Sequence, residues 1–404
     1  MFLYERDQPS QDSILPRRFS NLHCHPRDDK MLGLVAPFSM AHNEYLLWMP
    51  NLDPPILTAD KALQYNERIL TAANGRFPHC KLLMTIQITE ETTPEMIRAA
   101  AKAGVKAGKL YIRGVTNNSQ HGVRLEKFWD LKPVFEAMAA CGMLLLIHGT
   151  VPRDVAYFLD EETEFLPFLR KLASEFRALK IVLEHITTKK AVNTVRELYH
   201  KYGNVAATIT PPHMVLTTND ILGPKLFPHH FCQPVAKTEE DRLALVEAAT
   251  SGEPMFFLGT DSAPHSIWSK QCHDCCAGMF SDPVAHALVT QVFAGVRKLN
   301  KLEAFASLNG PAYYGLPAPQ ERIKLVRKLW RVPALISCAF GDPELLQYTD
   351  HRLDTSRIRL LLERYGMPSE DINWDQERGS LSVYDRLHVE PFLAGKLLAW
   401  QVVA

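Results

Sequence analysis

The heptapeptide Val105–Tyr111, VKAGKLY, sets a lysine inside a segment that otherwise reads as a buried strand, and it runs into a loop of turn formers, GVTNNSQHG at 114–122. A lysine ammonium taken out of water is strongly disfavoured unless it is paired, neutralised or bound to a metal. One reading lays the stem along the sheet and keeps the ammonium in solvent. Four other stretches favour a different one. NLHCH (Asn21–His25), MLLLIH (Met143–His148), IVLEH (Ile181–His185) and MFFLGTD (Met255–Asp261) each end a strand-like run on His or Asp. Together they read as a metal site with Lys109 among its ligands.

Outward from these runs, the chain alternates strands with amphipathic helices. Phe19–His25, Tyr45–Met49, Lys81–Ile88, Val105–Tyr111, Met143–Ile147, Ile181–Glu184, Asn204–Ile209 and Met255–Leu258 read as strands. Helical periodicity marks Ala59–Ala73 after Thr58, the stretch from Pro94 to Ala103, Trp129–Ala140 and Glu164–Leu179. It also marks Lys189–Lys201, Thr238–Thr250, Pro283–Leu299 and Leu302–Leu308. Apolar strands separated by helices predict parallel βαβ units covered on both faces. Eight of them match a closed (β/α)8 TIM-type barrel of the α/β class; an open doubly wound sheet is the alternative. Polar residues at the ends of many strands favour the barrel, whose sites are assembled at its C-terminal mouth. A doubly wound sheet would use one glycine-rich turn, and neither GxGxxG nor GxxxxGK[ST] occurs. The expected organisation is a barrel over 1–317 and an elaboration without chemistry over 318–378, including a helix-like piece at Thr355–Tyr365. A C-terminal segment, 379–404, follows, and its apolar part Pro391–Val402 packs back on the barrel.

Apolar residues make up 46% and charged residues 22% of the 404 positions, and 45 basic side chains balance 45 acidic ones. A chain of this length buries a large core. Its zero formal charge gives no footprint of a nucleic-acid or anionic-membrane partner. No run approaches the roughly 18 apolar residues of a membrane span, and no signal peptide is expected. Eight cysteines are too few for a disulfide framework, which points to a reducing compartment, the cytoplasm. Cys272, Cys275 and Cys276 contain one CxxC without a second pair at zinc-ribbon spacing, so they read as loop cysteines.

His23 and His25 are two apart, which on a strand turns both imidazoles to one face. His148 and His185 would each, alone, read as a hydrogen-bonded core histidine; with the HxH pair and Asp261 they form a set. Four histidines, an aspartate and a lysine exceed the needs of one zinc and suggest a binuclear site with a bridging ligand. A lysine ammonium has no lone pair and would repel two dications. A neutral amine that has reacted with carbon dioxide gives a carbamate, an anion with two oxygens suited to bridging.

Further strings carry a family resemblance. HCHPRD at 23–28, MPNL at 49–52, AGKLY at 107–111, TNNSQHGV at 116–123 and IHG at 147–149 are followed by LEHITTK at 183–189 and ATITPPH at 207–213. FLGTDSAPH at 257–265, LNGPAYYGLP at 308–317 and PFLAGK at 391–396 complete the series. In order and spacing they resemble the class II dihydroorotases of the amidohydrolase superfamily. The resemblance implies reversible cyclisation of N-carbamoyl-L-aspartate to dihydroorotate, a small-molecule substrate in de novo pyrimidine biosynthesis, by a homodimer.

It further implies two zinc ions per chain. His23, His25, Lys109 and Asp261 would hold one, and Lys109, His148 and His185 the other, with N6-carboxylated Lys109 as the bridge. A hydroxide between the ions attacks the ring carbonyl, and Asp261 is the catalytic acid and base. Arg27, Asn51 and His265 read the substrate carboxylate, and backbone at Gln233 and Ala277 completes the pocket. The loop 113–121, with Thr116 and Asn117, closes over it. Several residues depart from the family pattern: Cys24, Pro26, Asn117, Thr150, Gln233, a shifted cysteine pattern over 272–279 and a longer stretch after 318. None removes a ligand. Another cyclic-amide hydrolase, or a silent barrel used for assembly, are the alternatives.

Overall fold

The computed structural model describes residues 13–331 and 396–403. Its strands are β1 (Ser13–Ile14), β2 (Phe19–Cys24), β3 (Asn43–Trp48), β4 (Lys81–Leu83), β5 (Thr85–Ile88), β6 (Ala107–Tyr111), β7 (Leu144–His148), β8 (Ile181–Leu183), β9 (Val205–Ile209), β10 (Phe256–Leu258), β11 (Lys324–Arg331) and β12 (Lys396–Val403). Strands β2 to β4 pair in parallel, as do β5 to β10 in order. Only Met84 separates β4 from β5, and its carbonyl accepts from the Lys106 N–H at 2.9 Å. The predicted third strand is therefore present with a one-residue interruption.

The ring then closes. The Asp261 N–H donates to the His23 carbonyl and the His25 N–H to the Ser262 carbonyl, each at 2.9 Å, and Cys24 and Ser262 form a parallel bridge. The result is the eight-stranded barrel, not the open sheet. Apart from β4, whose Lys81 is exposed, the strands are buried from end to end because helices cover the outside while side chains fill the inside.

The closing seam is polar. Thr260 and Asn21 both donate to Asp282 Oδ1, at 2.6 and 3.2 Å, and Asn21 Oδ1 accepts from the Thr260 N–H at 2.9 Å. Ser39 donates to the other carboxylate oxygen. Burial pushes the Asp282 carboxyl up to about 6 against these donors. Beside the seam, a methyl on Gly259 would lie 2.8 Å from His23 Cβ and 2.9 Å from Thr208 Cβ, so only glycine lets these strands approach.

Several boundaries differ from the sequence reading. The helix expected at Glu164–Leu179 is Glu161–Glu175. Its acidic first turn, with Glu161, Glu162 and Glu164, complements the positive end of the helix, while Phe176 turns out of helical backbone. Trp129–Ala140 is a tighter 3-10 turn at Leu125–Leu131 followed by an α-helix at Lys132–Cys141, with a proline in its first turn and Gly142 in left-handed conformation after it. Pro283–Leu299 is Asp282–Gly295, and Leu302–Leu308 is a wide turn at Ala304–Leu308 that runs into a helix at Asn309–Tyr313. An unanticipated helix, Asp29–Met40, carries Pro37 inside it, which hid its period.

The stretch after 318 also contains a strand. β11 pairs antiparallel with β12, from Lys324 opposite Val403 to Arg331 opposite Lys396, and β1 pairs with β11. The helix-like Thr355–Tyr365, Cys338 and the rest of 332–395 lie outside the described residues, as do residues 1–12. Among the described residues no helix is long and apolar enough to cross a membrane.

Replacing Asp282 by alanine strips an acceptor from Ser39, Thr260 and Asn21 inside the seam. The expected loss of stability is about 2–4 kcal/mol, read as a lower urea midpoint at unchanged m. An unaltered midpoint would show that the barrel closes without this carboxylate.

Candidate metal centre and active site

The polar residues converge at the C-terminal mouth. His23 lies on β2 and His25 follows it, His148 ends β7, His185 follows β8, and Asp261 follows β10. Three side chains there sit on left-handed backbone: Arg27 at φ 66°, His185 at φ 42° and Asp261 at φ 47°. Such conformations are uncommon for residues with a Cβ and cluster at functional sites.

His23, His25 and Asp261 bring one donor atom each within 4.8 Å of one another. Asp261 Oδ1 is 3.1 Å from His25 Nε2 and 3.4 Å from His23 Nε2. His148 Nδ1 and His185 Nε2 face each other at 3.1 Å, and the rings of His23 and His185 are 5.0 Å apart. A tetrahedral zinc with bonds near 2.1 Å has ligand-to-ligand edges of about 3.4 Å, so both groups are spaced as ligand pairs. Lys109 is 0% exposed. Its Nζ has no hydrogen-bond partner and lies 5.1 Å from the Tyr111 ring centroid.

The charge states suit cation binding. Burial draws the Lys109 amine down to about 8, although Glu184 and Asp261 work against it. Burial also holds His148 and His185 well below the usual imidazole range and brings His25 down to about 4. These rings are neutral, as metal ligands must be. His23 differs: burial lowers it, but Glu184 and a hydrogen bond with Asp261 raise it overall. A positive charge is favoured at that point of the cage. Burial raises Asp261, yet hydrogen bonds from His23 and His25 keep it well below the carboxylate range, hence ionised.

A second group surrounds an open pocket of about 380 Å³. Arg27, Asn51, Thr116, Asn117, Gln233 and Ala277 line it, opposite the histidines and Asp261. Arg27 Nε donates to the Pro264 carbonyl at 2.8 Å, and its Nη2 is 2.9 Å from His265 Nε2. His265 Nε2 also lies 3.0 Å from the Ala277 carbonyl. Asn117 reaches down from its loop and donates to that same carbonyl at 2.6 Å. The Thr116 N–H is held by Ser119 Oγ at 3.1 Å. Thus all the expected site residues but two line one pocket; His265 lies behind Arg27 and Asn117, and Lys109 lies behind the lining Tyr111.

Sequence reasoning missed the supports. Glu184, fully buried, accepts from His23 Nδ1 at 2.7 Å and from the Thr208 hydroxyl at 2.6 Å, so that His23, on giving up the Nε2 proton that faces Asp261, turns that nitrogen's lone pair to the cage. The signal was there: an acid inside the apolar run IVLEH. Tyr111, Ala263 and Gly278 also line the pocket. The buried Lys270 ammonium donates to the carbonyls of Phe231, Cys276 and Gly278 at 2.8, 2.9 and 2.7 Å, fixing the segment that presents Ala277. Gly278, at φ 143°, would place a methyl 2.4 Å from the Ala263 carbonyl. The cysteines at 272, 275 and 276 are free.

No family model matches the chain. It is 43% identical over 339 residues to the rice "Dihydroorotase, mitochondrial", covering 83% of this chain and 82% of the relative. It is 44% identical over 338 residues to the "Dihydroorotase" of Delftia acidovorans, covering 83% and 95%. Among solved structures, dihydroorotase from Saccharomyces cerevisiae in complex with 5-fluoroorotic acid superposes with a TM-score of 0.78 at 33% identity, covering 84% of this chain and 96% of that one.

The carboxylate behind His23 is open to direct test. Glu184→Gln is expected to weaken divalent-metal retention about 10- to 100-fold, measured by competition with a chromogenic chelator. Unchanged retention would show that Glu184 does not orient a metal-binding nitrogen.

Proposed function

The chain belongs to the dihydroorotase family, whose members depend on metal, and from that premise we propose how its residues interconvert N-carbamoyl-L-aspartate and dihydroorotate in pyrimidine biosynthesis. His23, His25 and Asp261 would hold one zinc and His148 and His185 a second, with carboxylated Lys109 as their shared ligand. The observation that carries this reading is the Lys109 amine, sealed in the barrel without a partner and close enough to His23, His148 and Asp261 to act on their charges. Bound there, a metal pair supplies a water of lowered pKa and polarises the carbonyl under attack.

The chain's own residues do the rest. Asp261, ionised and hydrogen-bonded to two imidazoles, takes the proton of the attacking water and passes it to the leaving amide nitrogen. Arg27, its guanidinium plane set by the Pro264 carbonyl, receives the substrate carboxylate with Asn51 and His265. The Gln233 and Ala277 backbone bounds the ring. Thr116 and Asn117 cover the pocket, and the bond from Asn117 to the Ala277 carbonyl latches the loop to the far wall. The yeast relative's complex is with 5-fluoroorotic acid, a carboxylated pyrimidine, which suits the same cradle. A dihydropyrimidinase-like hydrolase would have no charge for Arg27 to meet, and a silent barrel would not need the ligand set. A homodimer in the cytoplasm completes the proposal, from the family resemblance and the cysteine usage. The rice relative's mitochondrial name makes cell fractionation the test of compartment.

Loss of dihydroorotate absorbance in the ultraviolet should be rapid, should stop after chelation and should return with zinc, while dihydrouracil is turned over poorly. Comparable turnover of both substrates would exclude the carboxylate cradle. Asp261→Asn is expected to lower kcat by about 10²–10⁴-fold. Arg27→Met should raise KM by about 10- to 100-fold. Lys109→Ala should abolish most activity and regain part of it with short carboxylic acids; failure of every such acid to rescue would count against a bridging carbamate.

A further inference from the structure

Gln87, on β5, is 0% exposed, and neither its Nε2 nor its Oε1 has a hydrogen-bond partner. It stands in register with Lys109 across the parallel β5–β6 ladder. Ile88, which follows Gln87, and Gly108, which precedes Lys109, meet on the helix side: a methyl on Gly108 would lie 2.7 Å from Ile88 Cδ1 and 2.9 Å from Met138 Cε. Side chains alternate along a strand, so Gln87 and Lys109 both enter the barrel interior as immediate neighbours. Lys109 Nζ is also without a partner. A buried carboxamide with both ends unmade is costly and rare. Two such orphans side by side mark the place of a polar group that both would touch.

We propose that Gln87 is a positioning residue for carboxylated Lys109, donating from Nε2 to one oxygen of the carbamate. This rests on the bridging carbamate of the preceding section. In forming it, the Lys109 nitrogen lone pair bonds the carbon of carbon dioxide, one C=O π pair moves onto oxygen, and the nitrogen releases one proton to water. The product is a neutral N–H bearing a carboxylate anion. A hydrogen bond to that anion favours the product over the free amine, and a charge-assisted bond displaces such an equilibrium by about tenfold or more. A neutral amide suits the position: a cation there would repel the metals, and a carboxylate would repel the carbamate.

The test uses the full chain, stripped of metal and re-equilibrated with zinc over a series of 13C-bicarbonate concentrations. Carbamate is followed by its carbon resonance and zinc per chain by atomic emission. Gln87→Met keeps the volume and removes both polar ends; deleting an orphan amide should leave the variant at least as stable in urea. The expected result is a roughly tenfold rise in the bicarbonate needed for half-maximal carbamate and zinc. An unshifted dependence in a folded variant overturns the proposal while leaving the carbamate in place. Absence of the resonance from zinc-loaded wild type overturns the bridging carbamate and this inference with it. Gln87→Leu takes over the same comparison if Gln87→Met does not fold.

Discussion

The hydrogen bond from the Asp261 N–H to the His23 carbonyl, 2.9 Å long, belongs to two structures at once. It is a rung of the seam that turns a row of parallel strands into a cylinder. It also ties the first strand's histidines to the last strand's aspartate, residues more than two hundred positions apart in sequence. Without that rung the donor atoms of His23 and His25 and that of Asp261 would lie on opposite edges of an open sheet. The left-handed backbone at Asp261, at His185 and at Arg27 costs on the order of 1–3 kcal/mol each. Each is held by its surroundings: the His23 carbonyl for Asp261, the Thr208 hydroxyl at 2.6 Å from the His185 N–H, and the Tyr65 hydroxyl on the Arg27 carbonyl. Closing the fold and straining the site are thus one act.

Around that seam, neighbours hold the donor atoms in place. Glu184 sets the tautomer of His23 and is itself held by Thr208. Lys270 spends its ammonium on three backbone carbonyls and so fixes the wall that carries Ala277. Near-attack geometry needs this kind of support, because small displacements at the reacting atoms are expensive in rate.

Much of this was legible in the residues. A barrel strand has a simple signature, an apolar run with a polar terminus; NLHCH, MLLLIH and MFFLGTD each carry it weakly and gain their meaning as a set. Lys109 was legible because a cation in such a run has so few physical excuses. Glu184 and Gln87 were harder. One polar residue in a short strand gives no hint of which face it takes until its neighbours' register is known. Helix ends slipped by a few residues where acidic first turns or 3-10 turns, as at Glu161 and Leu125, extended the helical path. Pro37 masked a whole helix. The β11–β12 pairing depends on a partner far along the chain, which no local pattern reports.

That pairing has a consequence for how the chain tolerates change. Arg331 and Lys396 are opposite rungs of one ladder, so whatever lies between them departs from and comes back to the same spot, on a sheet that contributes none of the residues at the barrel mouth. Closing a flexible loop costs only about 0.6 kcal/mol more for each doubling of its length. The two rungs therefore form a socket: on this count, changing the number of residues that join them alters the closure entropy little.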